Sequence, residues 1–339
     1  MKTLRILALV HDHLVPPTDT DGIDILEAEW KMEYDVIETL REMGHEVHVL
    51  GLHDELDSIR PTAGHFKPHI VFNLMEAFAG VTTFDQNVVS YLELLRLPYT
   101  GCNPRGLILA RDKALSKKLL AYHRIPVPEF TVIRRGRKAV LPKRLRFPLI
   151  VKSLFFEASV GISQASVVEN DDQLARRVQF VHDSLGTAAI VEKFIDGREL
   201  YVGVVGNTRL SVFPVWEMSF APSLDNRWRI ATERVKWSTK YQKRHGIMTA
   251  AATLEPAVLD QVQRIAKRTY RSLDLNGYAR VDLRWDEQRG RAYVLEANPN
   301  PNLAYGEDFA ESAEVAGNSY EQLLERLLVM GLRWVPERT

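Results

Sequence analysis

Two pairs of polar side chains late in the chain could together hold a metal ion. The segment "GYARVDLRW" contains Arg280 and Asp282, and "YVLEANPNPNL" contains Glu296 and Asn298. Both segments are predicted strands, in which residues two apart share a face, so each pair points one way. Either segment alone is better explained as an exposed sheet face. If the strands pair, however, two carboxylates and an amide oxygen converge beside an arginine, and such oxygen ligands suit a hard cation such as Mg²⁺ that bridges protein acids to nucleotide phosphates.

Two further segments could bind phosphates and a nucleotide. In "IVKSLFFEASVGIS", Lys152 ends a predicted strand, and Ala158, Ser159 and Gly161 form a loop with little side-chain bulk. Backbone N–H groups of such a loop can approach phosphate oxygens, although an ordinary hairpin loop would look the same. In "AIVEKFIDGREL", Glu192 ends one strand and Glu199 begins the next. A charged hairpin is the alternative for that segment.

The elements that must position these residues predict an α/β protein of three parts. Residues 1–104 read as an open α/β domain, because "RILALV", "EWKMEYDVIETLREMG" and "HEVHVLGL" form a strand-helix-strand unit. Residues 105–186 read as a small α+β module, and residues 187–339 as strands with a long amphipathic helix. Within them we predict a helix from Arg111, a helix capped at Asp171 or Asp172, and a hairpin turn at Gly206-Asn207. No G-x-G-x-x-G follows the first strand, so dinucleotide binding is not supported.

The composition narrows the possible partners. The chain has 339 residues with 44 basic and 44 acidic side chains, so no overall attraction to nucleic acid or anionic lipid is expected. Cys102 is the only cysteine, which excludes an internal disulfide. The first residues, "MKTLRILALVHDH", hold too few apolar residues for a secretory segment or a membrane span. We therefore expect a soluble cytoplasmic protein. Residues 134–146 hold seven basic residues and no acid, and they read as a solvated surface, with a dock for a polyanion or a partner as the alternative.

The order of the motifs resembles the ATP-grasp superfamily, and specifically its D-alanine:D-alanine ligase branch. The resemblance runs from about Pro98 to the C-terminus and more loosely over the first domain. The segments that carry it are "LPYTG", "RDKALSKKLLAYHRIPVPEF", "FPLIVKSLFFEASVGIS", "IVEKFIDGREL", "GYARVDLRW", "VLEANPNPNL" and "AEVAGNSYEQLL". It implies a three-domain ATP-grasp architecture, with an N-terminal α/β domain, a central lid, and a C-terminal ATP-binding domain built on an antiparallel sheet.

The resemblance also implies a role for each matching residue. Lys113 and Lys152 would hold ATP phosphates beneath the loop that contains Ser159, and Lys236 would reach the γ-phosphate. The adenine would be read by Glu192 and the backbone of Lys193 and Ile195, and the ribose by Glu199. Asp282, Glu296 and Asn298 would bind two Mg²⁺ ions, with Mn²⁺ as an alternative, and Arg280 would stabilise the tetrahedral centre. The activity implied is ADP-forming ligation of a small carboxylate to a small amine through an acyl phosphate, by a homodimer.

The departures from the branch concern the amino-acid pockets. Ala158 stands where the branch carries a serine, and the N-terminal glutamate of the branch cannot be placed, although Glu27 and Glu29 are near. Glu307, next to Asp308, falls where true D-alanine:D-alanine ligases hold the acceptor carboxylate with a serine. The two acids would repel that carboxylate, or they simply begin a helix whose dipole favours them. Glu307 and Glu76, in "VFNLMEAFAG", are thus candidate substrate contacts. A genuine D-alanine:D-alanine ligase and a non-catalytic ATP-binding module are the rival functions.

Overall fold

The computed structural model describes residues 2–156, 159–220, 228–232, 235, 241 and 246–336. The strands are β1 (Arg5–His11), β2 (Glu46–Leu52), β3 (Ile70–Asn73), β4 (Phe130–Ile133), β5 (Leu149–Ser153), β6 (Val167–Val168), β7 (Ala189–Lys193), β8 (Arg198–Val205), β9 (Ser211–Val212), β10 (Trp216–Ser219), β11 (Met248–Ala251), β12 (Tyr278–Asp286) and β13 (Arg291–Pro299). The helices are α1 (Lys31–Glu42), α2 (Ile59–Phe66), α3 (Asp85–Leu94), α4 (Pro104–Arg111), α5 (Lys113–Tyr122), α6 (Asp171–Ser184), α7 (Pro256–Ser272), α8 (Asp308–Val315) and α9 (Tyr320–Arg333).

The first sheet is parallel, in the order β2-β1-β3. Its central strand is covered on both faces, which explains why "RILALV" reads as a continuous apolar run. Leu7 and Leu9 join one core cluster, while Ile6 and Ala8 join the other. The helix that follows β1 begins beside the carboxyl end of the sheet, where open α/β sheets bind ligands.

The second sheet has six strands, in the order β11-β10-β8-β12-β13 with β9 beside β8, and all its pairs are antiparallel. The helix α7 packs on one face, where Val281 and Leu283 share a core cluster with Ile265. The predicted pairing of the two polar strands is confirmed. The register shifts once, from Asp282 opposite Glu296 to Leu283 opposite Val294, so Leu295 is an extra residue that forms a β-bulge.

The third sheet is antiparallel, in the order β4-β7-β5-β6, and α6 packs against it. All seven basic side chains of residues 134–146 are exposed beside this sheet. One of them, Arg144, donates to the carbonyl of Phe130 at 3.0 Å. The sheet continues to Lys193, and the boundaries at residues 104 and 186 stay predictions.

Some predicted elements differ from the observed ones. The helix predicted from Arg111 begins instead at Lys113, and Arg111 ends α4, because Asp112 has an extended backbone and its side chain accepts the N–H groups of Ala114 and Leu115 as the N-cap of α5. The cap of α6 is Asn170, whose side chain accepts the N–H of Gln173, and not Asp171 or Asp172.

The hairpin predicted at Gly206-Asn207 is confirmed as an antiparallel β8–β9 pair, but residues 206–210 connect the two strands instead of a two-residue turn. The side chain of Asn207 contacts a different segment, where it accepts the N–H of Gly277 at 3.0 Å. Among the described residues no helix is both long and apolar enough to span a membrane.

Candidate active site

A cleft of about 760 Å³, partly open to solvent, lies between residues of the second and third sheets. Eight of the residues predicted for nucleotide or metal binding line it together: Lys113, Lys152, Ser159, Glu192, Lys193, Glu199, Asp282 and Glu296. A ninth, Ile195, contributes an apolar wall with Ile150, Phe194 and Ile230. The cleft therefore combines an apolar surface suited to a flat base with a concentration of lysines and carboxylates suited to phosphates.

The candidate metal ligands lie on paired strands as the two-residue period predicts. Asp282 is opposite Glu296, and Arg280 is opposite Asn298. Arg280 holds Asp282 by two hydrogen bonds, from Nε to Oδ1 at 2.8 Å and from Nη2 to Oδ2 at 3.0 Å. The amide nitrogen of Asn298 is buried and has no hydrogen-bond partner in the described part of the chain.

These donors fit Mg²⁺ better than a metal held wholly by protein. The described residues contain no group of three or more His, Cys, Asp or Glu side chains that could form a metal cage. Mg²⁺ keeps several waters and takes one or two carboxylates beside substrate phosphates, which is the supply that Asp282 and Glu296 offer. Asn298, which lies opposite Arg280 on the paired strand, could add its side-chain oxygen as a ligand. The number of ions stays a prediction.

Lys113 begins α5 and reaches the metal-ligand strand from the other side of the cleft. Its Nζ lies 3.6 Å from Oε2 of Glu296 and donates to the carbonyl of Phe156 at 2.7 Å. Burial lowers the pKa of Lys113, although the Glu296 carboxylate acts in the opposite direction. A buried ammonium with one carboxylate neighbour is well suited to pair with a phosphate oxygen.

Glu192 is the centre of a buried charge network that includes a residue missed by the sequence analysis. Lys117 lies 3.3 Å from its Oε1 and Lys152 lies 3.3 Å from its Oε2, and the Lys117 and Glu192 side chains are each 1% exposed. Burial tends to raise the pKa of Glu192, but the two lysines outweigh it and hold this pKa below its usual range. The carboxylate of Glu192 is already paired with two lysines. Its predicted contact with adenine stays a prediction.

Lys117 could have been found from its spacing. It follows Lys113 by four residues on α5, and residues four apart share one helix face. In "KALSKKLL" the lysines instead read as ordinary solvent-facing residues. Nothing in this segment itself indicates that Glu192, which lies on β7 of the third sheet, is opposite that helix face.

Arg284 is a second residue that the sequence analysis missed. It continues the face of Arg280 and Asp282 along β12, and its Nη2 donates to Oε2 of Glu199 at 2.6 Å. Its Nη1 lies 3.3 Å from the carbonyl of Ile195. Glu199 also accepts from the hydroxyl of Tyr201 at 3.0 Å. The guanidinium thus fixes the orientation of the carboxylate predicted to contact ribose.

The loop that contains Ser159 and Gly161 is anchored by a buried arginine. Ser159 and Gly161 both have left-handed backbones, with φ of 61° and 70°, and the Ser159 carbonyl accepts the N–H of Ile162 at 2.8 Å. Arg177 of α6 donates to the Gly161 carbonyl and, at 2.8 Å, to the hydroxyl of Ser166. The loop backbone is therefore held close to the cleft. Ala158 and Lys236, which the sequence analysis also named, lie outside the described residues.

The backbone groups proposed to read the base are partly engaged. The N–H of Lys193 donates to the Glu129 carbonyl at 2.8 Å, and the Ile195 carbonyl accepts from Nη1 of Arg284 at 3.3 Å. Base recognition by Lys193 would therefore use its carbonyl or its side chain.

A second group of acids lies between the first sheet and the segment that begins α8. Glu76 follows β3, and although its side chain keeps solvent contact, partial desolvation by the surrounding protein raises its pKa. Glu307 caps α8, and burial together with neighbouring Asp308 raises its pKa despite attraction to Lys31 and Arg280. Glu307 thus interacts electrostatically with Arg280, while Glu76 interacts with Arg111, Asp85 and Glu33.

Glu33, which the sequence analysis did not single out, is the most buried of these acids. It lies in the first turn of α1, is 1% exposed, and its Oε1 has no hydrogen-bond partner in the described part of the chain. Burial, reinforced by the Glu76 carboxylate, raises the pKa of Glu33 to about 7. In the sequence, Glu33 could have been recognised as an acidic residue on the apolar face of the predicted helix.

We expect Glu33→Gln to stabilise the protein more at high pH than at low pH. The raised pKa means that the folded state holds the proton more tightly, so stability falls as pH rises from about 4.5 towards 7 and stays lowered above it. The raised pKa of Glu33 means that the substitution should stabilise the protein by roughly 2 kcal/mol more at pH 8 than at pH 5. Urea unfolding at both pH values measures this, with Glu42→Gln, at an exposed position of the same helix, as control. An equal effect at the two pH values would contradict the assignment.

Comparison with known proteins gives a consistent result. A family model described as "D-ala D-ala ligase C-terminus" matches residues 119–329. The chain is 32% identical over 303 residues to a Sinorhizobium fredii protein named "Uncharacterized protein y4sG", covering 86% of this chain and 85% of that one. It is 30% identical over 298 residues to the D-alanine–D-alanine ligase of Desulforudis audaxviator, covering 87% and 84%.

The fold comparison agrees. The crystal structure of the Bacillus anthracis D-alanine–D-alanine ligase complexed with ATP superimposes with a TM-score of 0.75 at 21% identity, covering 98% of both chains. The predicted fold class and the predicted resemblance are therefore confirmed. The chain belongs to the D-alanine–D-alanine ligase family of ATP-grasp enzymes.

Proposed function

We propose that the protein joins a small carboxylate to a small amine in an ATP-dependent, ADP-forming reaction. The single observation that carries this proposal is the cleft in which Lys113, Lys152, Asp282 and Glu296 face one another. Their charges suit the triphosphate of ATP with its metal, and the apolar wall beside them suits the adenine. The family to which the chain belongs supports the ligase class.

The proposed reaction has two steps. A carboxylate oxygen of the first substrate attacks the γ-phosphorus of ATP, the bond to the bridging oxygen breaks, and ADP leaves with that electron pair. The product is an acyl phosphate, which is a better electrophile than the carboxylate. The amine then attacks its carbonyl carbon, loses a proton, and displaces inorganic phosphate to leave an amide.

The residues of the cleft have separable roles in this proposal. Lys113 and Lys152 neutralise phosphate charge, as would Lys236, and the backbone at Ser159 closes over the phosphates. Arg280 offsets the oxyanion that forms when the amine adds. Glu199, oriented by Arg284, accepts from the ribose hydroxyls. Mg²⁺ held by Asp282, Glu296 and Asn298 would neutralise part of the phosphate charge and orient the phosphates for attack by the carboxylate.

A phosphate-release screen over pairs of carboxylates and amines tests the proposal. Release that requires ATP, a carboxylate and an amine together is expected, and mass spectrometry should find the amide in equal amount. Release that never exceeds the background with any pair would favour a non-catalytic ATP-binding module. That rival is disfavoured because Arg280, Lys113, Lys152 and the metal ligands are all present, whereas a degenerate module would lose some of them.

The acids at the start of α8 bear on the identity of the amine substrate. Glu307 and Asp308 have no ion-pair partner within 4 Å in the described part of the chain, whereas Arg280 and Lys31 are already paired with Asp282 and Asp35. A carboxylate next to two free acids is repelled by on the order of 1 kcal/mol or more. We propose an acceptor with a neutral or positive group there. Acids at a helix N-terminus are also favoured by its dipole, so the alternative is a structural role.

The two alternatives can be separated with pairs of amine acceptors that differ only in the presence of a carboxylate. With any donor found in the screen, we expect agmatine and cadaverine to give at least about tenfold higher kcat/KM than arginine and lysine. Glu307→Gln with Asp308→Asn should narrow that ratio, whereas Glu314→Gln, on the exposed side of the same helix, should leave it unchanged. A best result with D-alanine as donor and acceptor, detected as D-alanyl-D-alanine, would instead establish the cell-wall reaction and contradict the acceptor proposal.

Three further expectations belong to this proposal. We infer a homodimer from the family resemblance, and a cytoplasmic location from the sequence. We also infer two metal ions for each active site, with Mn²⁺ able to replace Mg²⁺. Sedimentation analysis and metal titration in the presence of ATP would test the first and the last.

A further inference from the structure

A second pocket, of about 800 Å³ and open to solvent, is lined by five arginines. We call it the arginine pocket and define it by those residues, which are Arg124, Arg264, Arg268, Arg289 and Arg291. It lies on the α7 side of the six-stranded sheet, where Val281 and Leu283 face that helix. Arg280, Asp282 and Arg284 alternate with these residues and face the other side. The arginine pocket is therefore separate from the active-site cleft.

Three elements bring the arginines together. Gln261, Arg264 and Arg268 lie three and seven residues apart on α7 and therefore share one helix face. Arg289 and Arg291 flank Gly290 in the turn from β12 to β13. Arg124 follows α5 in a left-handed conformation, with φ of 55°. Residues distant in the sequence thus converge on one concavity.

Carboxylates neutralise only part of this charge. Arg264 pairs with Asp260 and Arg289 with Asp286, each at 2.7 Å. No carboxylate of the described chain lies within 4 Å of the other three guanidiniums. Arg268 donates to the carbonyl of His123 at 2.6 Å, which leaves its charge uncompensated. The pocket therefore carries a local excess of positive charge, although the whole chain has no net charge.

The pocket also holds an unsatisfied polar group. The side-chain oxygen of Gln261, which lines the pocket, is buried and has no hydrogen-bond partner among the described residues. Buried amides are normally satisfied, so an unpartnered one in a charged concavity indicates that a ligand or solvent completes it. A merely solvated basic surface would be convex and would leave its amides in water.

We propose that the arginine pocket binds a small anion that carries two or more phosphate groups. Guanidinium groups bind phosphate oxygens in a bidentate, charge-assisted geometry, and several around one concavity match separated phosphates better than a single charge. A concave site lined by five clustered arginines fits a compact sugar bisphosphate better than an extended polymer. The proposal is independent of the ligation reaction, because none of these arginines lines the active-site cleft.

Calorimetric titration of fructose 1,6-bisphosphate into the full chain tests this, with the active site saturated by Mg²⁺ and a non-hydrolysable ATP analogue. We expect one bisphosphate per chain and at least about tenfold weaker binding in the Arg124→Gln, Arg291→Gln double variant. These two side chains make no hydrogen bond in the described structure, so the variant should keep the melting temperature of the parent.

A charge-matched control distinguishes a site from general attraction. The Arg41→Gln, Arg105→Gln double variant removes the same charge from exposed ion pairs elsewhere, with Glu38 and Asp274, and should bind the bisphosphate like the parent. Equal weakening in both variants, or no binding to the parent at low ionic strength, would overturn the proposal. Tighter binding of a short RNA than of the bisphosphate would also overturn it, in favour of a nucleic-acid surface.

Discussion

Replacing Asp282 by Asn, or Glu296 by Gln, is expected to lower kcat by at least about a thousandfold while the fold is retained. Charge neutralisation by a bound metal contributes several kcal/mol to phosphoryl transfer, and each 1.36 kcal/mol is a factor of ten in rate. The two carboxylates lie opposite each other on β12 and β13, so either change removes half of the acidic ligand set. Phosphate release with the best substrate pair measures the rate. Titration of ATP with and without Mg²⁺ should show that the variants lose the metal dependence of ATP binding.

Asp286→Asn is the matched control for this prediction. Asp286 lies on the same strand and its side chain is also buried, but it pairs with Arg289 beside the turn to β13 and does not line the cleft. We expect its kcat to stay within about threefold of the parent. Turnover retained in both Asp282→Asn and Glu296→Gln would refute the metal assignment, whatever the control shows.

Replacing Glu192 by Gln should lower the free energy of unfolding by about 3–5 kcal/mol, because it leaves Lys117 and Lys152 without their shared carboxylate in a buried place. The pKa of Glu192 is held low, so its contribution is present above the unfolded value near 4.5 and is lost as pH falls through the lower folded pKa. Chemical denaturation at pH 7 and at pH 4 should therefore show a larger penalty at pH 7.

Glu217→Gln provides the comparison. Glu217 is likewise paired with a cation, Arg198, which donates two hydrogen bonds to it, but that pair is about a quarter exposed. Ion pairs with such solvent access contribute about 1 kcal/mol or less. A double change of Lys117 to Met with Glu192 to Gln should cost less than Glu192→Gln alone, since one buried charge is then removed. If Glu192→Gln costs no more than Glu217→Gln, the network does not stabilise the fold.

The strand period predicted the most important geometry of the site. Arg280, Asp282, Glu296 and Asn298 needed only the alternation of side chains and the pairing of two strands, and both are local or nearly local properties. Arg284 was predictable by the same rule, two residues beyond Asp282. The break at Asp112 was also local, because an aspartate before a helix is a common cap.

Other features depend on how separate parts of the chain meet. The partner of Lys117 comes from β7, and the proximity of Glu33 and Glu76 depends on how α1 and the segment after β3 lie at one end of the first sheet. The arginine pocket gathers residues from three elements. No short-range pattern specifies such contacts, because they depend on packing between elements distant in sequence.

The bulge at Leu295 determines which insertions and deletions this strand can tolerate. Ala292, Val294 and Ala297 all lie in one core cluster, a spacing of two and then three residues, because the extra residue changes the phase of the strand. Loss of Leu295 would restore the regular two-residue alternation, so the core residues and Glu296 would keep their faces, but the strand would lose the bulge. The bulge also leaves the Leu295 carbonyl to accept from Lys117 at 2.5 Å. The number of residues between Ala292 and Asn298 should therefore be less variable among functional variants than the identity of Leu295 itself.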